Sequence, residues 1–192
     1  MGVKIALFVL SLAGFLTPAA AQGTQGGQVE ALRGFPLRVN LIVDGSGAFA
    51  EVAPAAKAWL FQNIVDGVLA AGDRITIWSA GETAALVLEQ SISGAGDLEA
   101  VRQAILELPS GGGGADFSSA LEQAASEPPF DGVTHTLLVS STASFSFAFA
   151  GVGASLLRIS RVEEFPGWRA LVVGLNVESR VREAARDLQL HF

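Results

Sequence analysis

Leu37-Arg38-Val39-Asn40-Leu41-Ile42-Val43, followed by Asp44-Gly45-Ser46-Gly47, is the stretch that decides the fold. Seven residues rich in branched apolar side chains run straight into a loop signal. Such a run reads as a strand buried on both faces, with a polar turn at its carboxyl end. Downstream the period changes. From Ala53 to Ala70, Leu60, Ile64 and Val68 recur on one helical face with Trp59 and Phe61 beside it. Pro54 suits a first helical turn. Gly72-Asp73 stops that helix, and Arg74-Ile75-Thr76-Ile77-Trp78-Ser79 begins a second strand. Thr83 to Glu89 reads as a third strand at an edge.

The alternation continues. Asp97 is read as the cap of a helix with Leu98, Val101, Ile105 and Leu108 on its face. Four glycines follow, Gly111 to Gly114. Asp116 then caps a helix that turns Phe117, Leu121 and Ala124 inward and ends before Pro128-Pro129. Thr134–Val139 and Trp168–Leu175 read as further strands. Ala154–Val162 reads as a short helix. A last helix capped by Asn176 carries Val181, Ala184, Ala185 and Leu188. The fold expected is α/β: a doubly wound, mainly parallel central sheet with helices on both faces. In such sheets ligands bind beyond the carboxyl ends of the strands. Those ends are Asp44-Gly45-Ser46, Ser140-Ser141-Thr142 and Gly174-Leu175-Asn176.

Composition narrows the function. Of 192 residues, 50% are hydrophobic and 16% charged, which is enough apolar material for a full core. The formal charge of −7 and the lack of any basic patch argue against a nucleic-acid partner. Residues 1–21 read as a signal peptide: Lys4, an apolar run from Ile5 to Leu16, then Ala19-Ala20-Ala21 before Gln22. The alternative is an uncleaved anchor, for which the run is short of the ~20 residues a span needs. The expectation is an exported chain, periplasmic or secreted, with no membrane span after cleavage. Residues 22–36 form a polar, glycine-rich linker, and residues 37–192 form one domain. No cysteine is present, so disulfides, thiol catalysis and thiolate zinc sites are excluded.

Four pieces in order carry a family likeness: Leu41-Ile42-Val43-Asp44-Gly45-Ser46-Gly47, Ala71-Gly72-Asp73-Arg74-Ile75, Gly113-Gly114-Ala115-Asp116-Phe117 and Leu137-Leu138-Val139-Ser140-Ser141-Thr142. Together they resemble the von Willebrand factor A domain. The first is similar to its D-x-S-x-S loop, the second to its turn into the second strand, and the third to its G-G-T-D loop. The fourth stands where the family has a strand ending in T-D-G. In that family the rim holds magnesium or manganese through oxygen ligands. Here the resemblance implies Asp44 and Ser46 as ligands. It finds Ala48 in place of the second serine, Ala115 in place of the threonine, and Ser141 in place of the second aspartate. The expectation is therefore a degenerate site with no cofactor, and magnesium or manganese at Asp44 and Ser46 as the alternative.

Three readings of Asp44 and Ser46 stay open: acceptors for loop amides, an incomplete metal site, or direct contact with a partner. Asp116 is a helix cap that could lend an oxygen at the same rim. Phe145, Phe147 and Phe149 alternate after the fourth strand. They form either a strand extension packed on one face or an apolar ridge that docks a protein. The glycine loop lacks the lysine and hydroxyl of a phosphate loop, so it reads as a flexible connection. An enzyme is not expected. His135 begins a strand about 20 Å from Ser46 at ~3.3 Å per residue, and His191 adjoins the chain end. A hydrolase on a related sheet is the remote alternative. The function expected is a protein-binding or scaffold module with a rim of Asp44, Ser46, Asp116, Ser141 and the three phenylalanines.

Overall fold

A computed structural model describes residues 34–144 and 157–175. The stretch read as a leader at 1–21, most of the stretch read as a linker, Phe145, Phe147, Phe149 and the helix expected after Asn176 lie outside the described residues.

Among the described residues, six strands form one sheet: β1 Leu37–Asp44, β2 Arg74–Ala80, β3 Ala84–Ser91, β4 Val133–Ser141, β5 Leu157–Phe165 and β6 Trp168–Leu175, in the order β3-β2-β1-β4-β6-β5. All eight residues of β1 are buried, because both faces are covered. Leu37, Val39, Leu41 and Val43 enter one core cluster. It includes Trp59, Leu60 and Ile64 after β1, and Val101 and Ile105 of α2 (Ala95–Glu107). Ile42 enters the other cluster with Trp78, Leu138 and Leu171, under Phe117, Leu121 and Ala124 of α3 (Phe117–Ser126). Period two along β1 thus feeds two cores at once.

The helix after β1 is interrupted. The α-helical part, α1, spans Ala53–Leu60, with Pro54 in its first turn. Phe61–Val65 widens into a π turn, closed by Asp66 N–H donating to the Phe61 carbonyl at 2.9 Å. Asn63 Nδ2 donates from the widened turn to the Trp59 carbonyl at 2.9 Å, in the last turn of α1. Asp73 pins the start of the central strand: its carboxylate accepts from Leu37 N–H at 2.8 Å and Ala70 N–H at 2.9 Å.

Three expectations need correction. The sheet is mixed rather than mainly parallel. β1 pairs in parallel with β2 and β4, but β3 is antiparallel to β2, and β6 is antiparallel to both β4 and β5. The segment from Leu157 is strand β5, not helix. A bulge lies between Ile159 and Arg161. The inserted residue puts the branched positions Ile159 and Val162 three apart, which imitates helical spacing. Pro166-Gly167 then closes a hairpin, with Gly167 at φ +82°, as a Pro-Gly turn requires. Lastly, Asp97 does not precede α2. It lies inside the first turn and reaches back to Ser93 N–H at 2.8 Å and Gly94 N–H at 3.2 Å.

Where α3 ends, Arg38 is buried and donates from Nη1 to the Pro128 carbonyl at 2.6 Å, with Glu127 3.5 Å from its Nε. Burial pushes the Glu127 carboxyl above its ordinary 4.5, and Glu89 adds to the rise. The Thr76 hydroxyl and the Arg38 and Arg74 charges oppose it. A carboxyl raised in the folded state holds its proton more tightly there than in the unfolded chain. Its contribution to stability is therefore present below 4.5 and is lost as pH rises through the raised value. Urea denaturation between about pH 4 and pH 7 should show that downward contribution. Glu127→Gln should flatten it; equal slopes for the two proteins would contradict the assignment.

Candidate functional site

The carboxyl ends of β1 and β4 and the amino end of α3 meet at one rim. β1 stops at Asp44 because Gly45 turns the chain away. That turn is tight: a Cβ on Gly45 would lie 2.8 Å from Ser79 Oγ and 3.2 Å from the Gly81 nitrogen. Gly45 N–H donates to the Ala80 carbonyl at 2.9 Å. The glycine loop is tied down from the other side. Gly112 N–H donates to the Gly45 carbonyl at 3.1 Å, and Gly47 N–H donates to the Gly112 carbonyl at 2.8 Å. The loop expected to be a loose connection is thus a short parallel bridge, Ser46 beside Gly112.

Asp44 is 1% exposed and fully engaged. Oδ1 accepts from Ser46 N–H at 2.8 Å. Oδ2 accepts from Ser140 Oγ at 3.2 Å and Ser141 N–H at 3.1 Å. One buried carboxylate therefore joins the first loop to the end of β4. The hydroxyls form a second layer: Ser46 Oγ lies 3.0 Å from Ser144 Oγ, and Ser141 Oγ donates to Ser144 Oγ at 2.9 Å. Ser144 N–H donates back to Ser141 Oγ at 3.0 Å.

Asp44, Ser46 and Ser141 are brought together. Asp116 is engaged elsewhere, as the cap of α3. Its carboxylate accepts from Ser119 N–H at 3.0 Å, and its own N–H donates to the Gly81 carbonyl at 2.7 Å. Ala48 is exposed, and Ala115 packs against the core under α3. Sequence reasoning missed Ser144 as a member. Its signal was a fourth hydroxyl in the run Ser140-Ser141-Thr142-Ala143-Ser144. It also missed the turn after β5. Because β6 is antiparallel to β4, that turn reaches the rim, where Gly167 carbonyl accepts from Thr142 N–H at 2.8 Å. Behind it, Phe165 stacks on Trp168 at 4.0 Å between centroids, and Trp59 meets both rings edge-on at 5.8 Å.

A magnesium ion takes about six oxygens, usually one or two carboxylates with several waters. This rim offers one carboxylate, whose two oxygens already hold three protein donors, and hydroxyls engaged with one another. Among the described residues no group of three His, Cys, Asp or Glu side chains could hold a metal ion.

No protein-family model matches the chain, and no curated protein matches it. Several solved structures are similar in fold. Proximal thread matrix protein 1 from the mussel byssus aligns at 18% identity over 50% of this chain and 26% of its own, with a TM-score of 0.42. A von Willebrand factor type A structure from Catenulispora acidiphila aligns at 20% identity over 47% of this chain and 22% of its own, with a TM-score of 0.37. The von Willebrand factor domain of the type V pili tip protein Mfa5 from Porphyromonas gingivalis aligns at 15% identity over 64% of this chain and 44% of its own, with a TM-score of 0.38. This chain spans under half the length of each.

Proposed function

We propose that this chain, von Willebrand factor A-like in fold, is an exported protein-binding or scaffold module that engages its partner at the rim without a metal ion. The observation that carries the reading is the saturation of Asp44 by Ser46, Ser140 and Ser141. A carboxylate spent on holding two loops together is a structural pin rather than an open ligand. The leader-like residues 1–21 support export, and among the described residues no helix is long and apolar enough to cross a membrane.

Charge favours a partner chemistry. The rim loops at 45–52, 81–83, 109–116, 142–144 and 166–167 carry Glu51, Glu82 and Asp116 and no lysine or arginine. Without a cation, such a rim repels a partner's carboxylate and favours amides, hydroxyls or basic side chains. Catalysis is disfavoured by the same geometry. Ser46 Oγ meets another serine hydroxyl. His135, paired with Val39, stands near the opposite end of the sheet. A nucleophilic serine needs a base in reach.

The rival reading keeps a cation at Asp44 and Ser46, favoured by the convergence of those side chains with Ser141. Thermal melting decides between them. A ligand that binds only the native state raises Tm by mass action. The expected result is the same Tm in EDTA and in millimolar magnesium or manganese. A rise with either ion that disappears in Ser46→Ala would establish the rival.

A further inference from the structure

Under α3 the sheet changes character along its strands. Near the rim it is dry, with Ile42, Leu138 and Leu171 against Phe117 and Leu121. Toward the strand starts it is polar. Asn40 stands in register with Thr76 on one side and Thr136 on the other, and all three are buried. Asn40 Nδ2 donates to the Ala124 carbonyl at 3.4 Å, so the row faces the helix. Arg38 closes the far end, its guanidinium 4.7 Å from the centroid of the Phe130 ring.

Five buried polar atoms of this face lack a direct hydrogen-bond partner: Arg38 Nε, Asn40 Oδ1, Thr76 Oγ1, Trp78 Nε1 and Glu127 Oε1. Buried polar atoms are ordinarily satisfied, and each exception needs a reason. These five are matched in kind. Arg38 Nε and Trp78 Nε1 only donate, Asn40 Oδ1 and an ionised Glu127 only accept, and a threonine hydroxyl does either. The Thr76 hydroxyl stands close enough to the Glu127 carboxyl to favour its charged form by hydrogen bonding, but neither Thr76 Oγ1 nor Glu127 Oε1 has a partner at good hydrogen-bond geometry. Polar groups facing each other at more than bonding distance are commonly bridged by water.

We propose that the polar half of the α3–sheet interface is a built hydration site holding one or two ordered water molecules. Water donates to Asn40 Oδ1 and Glu127 Oε1, accepts from Arg38 Nε and Trp78 Nε1, and uses Thr76 Oγ1 as the link between strands. An internal water makes about three hydrogen bonds, and this set holds the donors and acceptors for them. The mixed signs suit a neutral ligand, since Arg38 and Glu127 would each oppose one sign of ion. α3 is then clamped dry at the rim and joined through exchangeable water at its far end.

High-resolution crystallography of the full chain tests the site, with nuclear Overhauser transfer from water to the Trp78 indole N–H as its solution counterpart. The expected result is water density within hydrogen-bond reach of both Asn40 Oδ1 and Thr76 Oγ1, and transfer to the indole. In Thr76→Val that transfer should fall several-fold, while Thr76→Ser should retain it. Density showing Thr76 Oγ1 bonded directly to Glu127 with nothing between would overturn the proposal. So would transfer at full strength in a folded Thr76→Val protein. If that variant does not fold, the wild-type density decides alone.

Discussion

Asp44→Ala is expected to destabilise the protein by about 3–5 kcal/mol, equally with and without magnesium. The amides of Ser46 and Ser141 would lose their acceptor inside a buried rim. Each buried donor left unmet costs about 1–3 kcal/mol. Ser140 Oγ is better placed, since it also reaches the Ser141 carbonyl at 3.1 Å. Asp44→Asn should fall between: it keeps one acceptor oxygen and turns an NH2 group toward a donor. Urea denaturation of the three proteins, each in EDTA and in magnesium, measures the series. A loss below about 1 kcal/mol for Asp44→Ala would mean the carboxylate is not the pin described above. A loss seen only in magnesium would mean that an ion, not the protein, completes it.

Phe117→Ala should have an effect of similar size, about 3–5 kcal/mol, for a different reason. Phe117 is 1% exposed and opens α3 directly after the Asp116 cap, packed in the cluster with Ile42, Trp78, Leu138 and Leu171. Truncation leaves a cavity at the point where the helix meets the rim. Phe117→Leu keeps most of the volume and should cost less than about 1.5 kcal/mol. Leu86→Ala serves as a control. Leu86 is 51% exposed on the edge strand β3, so its loss should stay within about 0.5 kcal/mol. Denaturation midpoints that fail to separate Phe117→Ala from Leu86→Ala would contradict the packing described for α3.

The fold was legible where one local pattern spoke for one environment. β1 read as a buried run because both faces of the sheet centre are covered, β2 read as a strand from the alternation at its start, and α3 announced itself by Asp116 and the Phe117–Leu121–Ala124 face. The second half was harder. The bulge near Ser160 moved the apolar spacing from two to three, so β5 looked helical, and the meaning of Pro166-Gly167 as a hairpin turn went with it. Strand direction is set by that turn, which is why β6 was expected in the wrong sense. At the rim, the contact of Asp44 with the β4 end follows from parallel neighbours ending together. What period and spacing do not encode is partnership. The bond from Ser46 to Ser144 spans 98 residues, and the one from Gly47 to Gly112 joins a loop to a loop. Neither has a local signature.

On the proposed reading, the rim is held shut by its own hydrogen bonds and offers an ion no coordination sites. Anomalous diffraction from crystals of the full chain grown in millimolar manganese tests this most directly. The predicted result is no anomalous peak beside Asp44, with Ser46 N–H and Ser141 N–H still bonded to its carboxylate. A peak within coordination distance of Asp44 and Ser46, with those amides released, would contradict it.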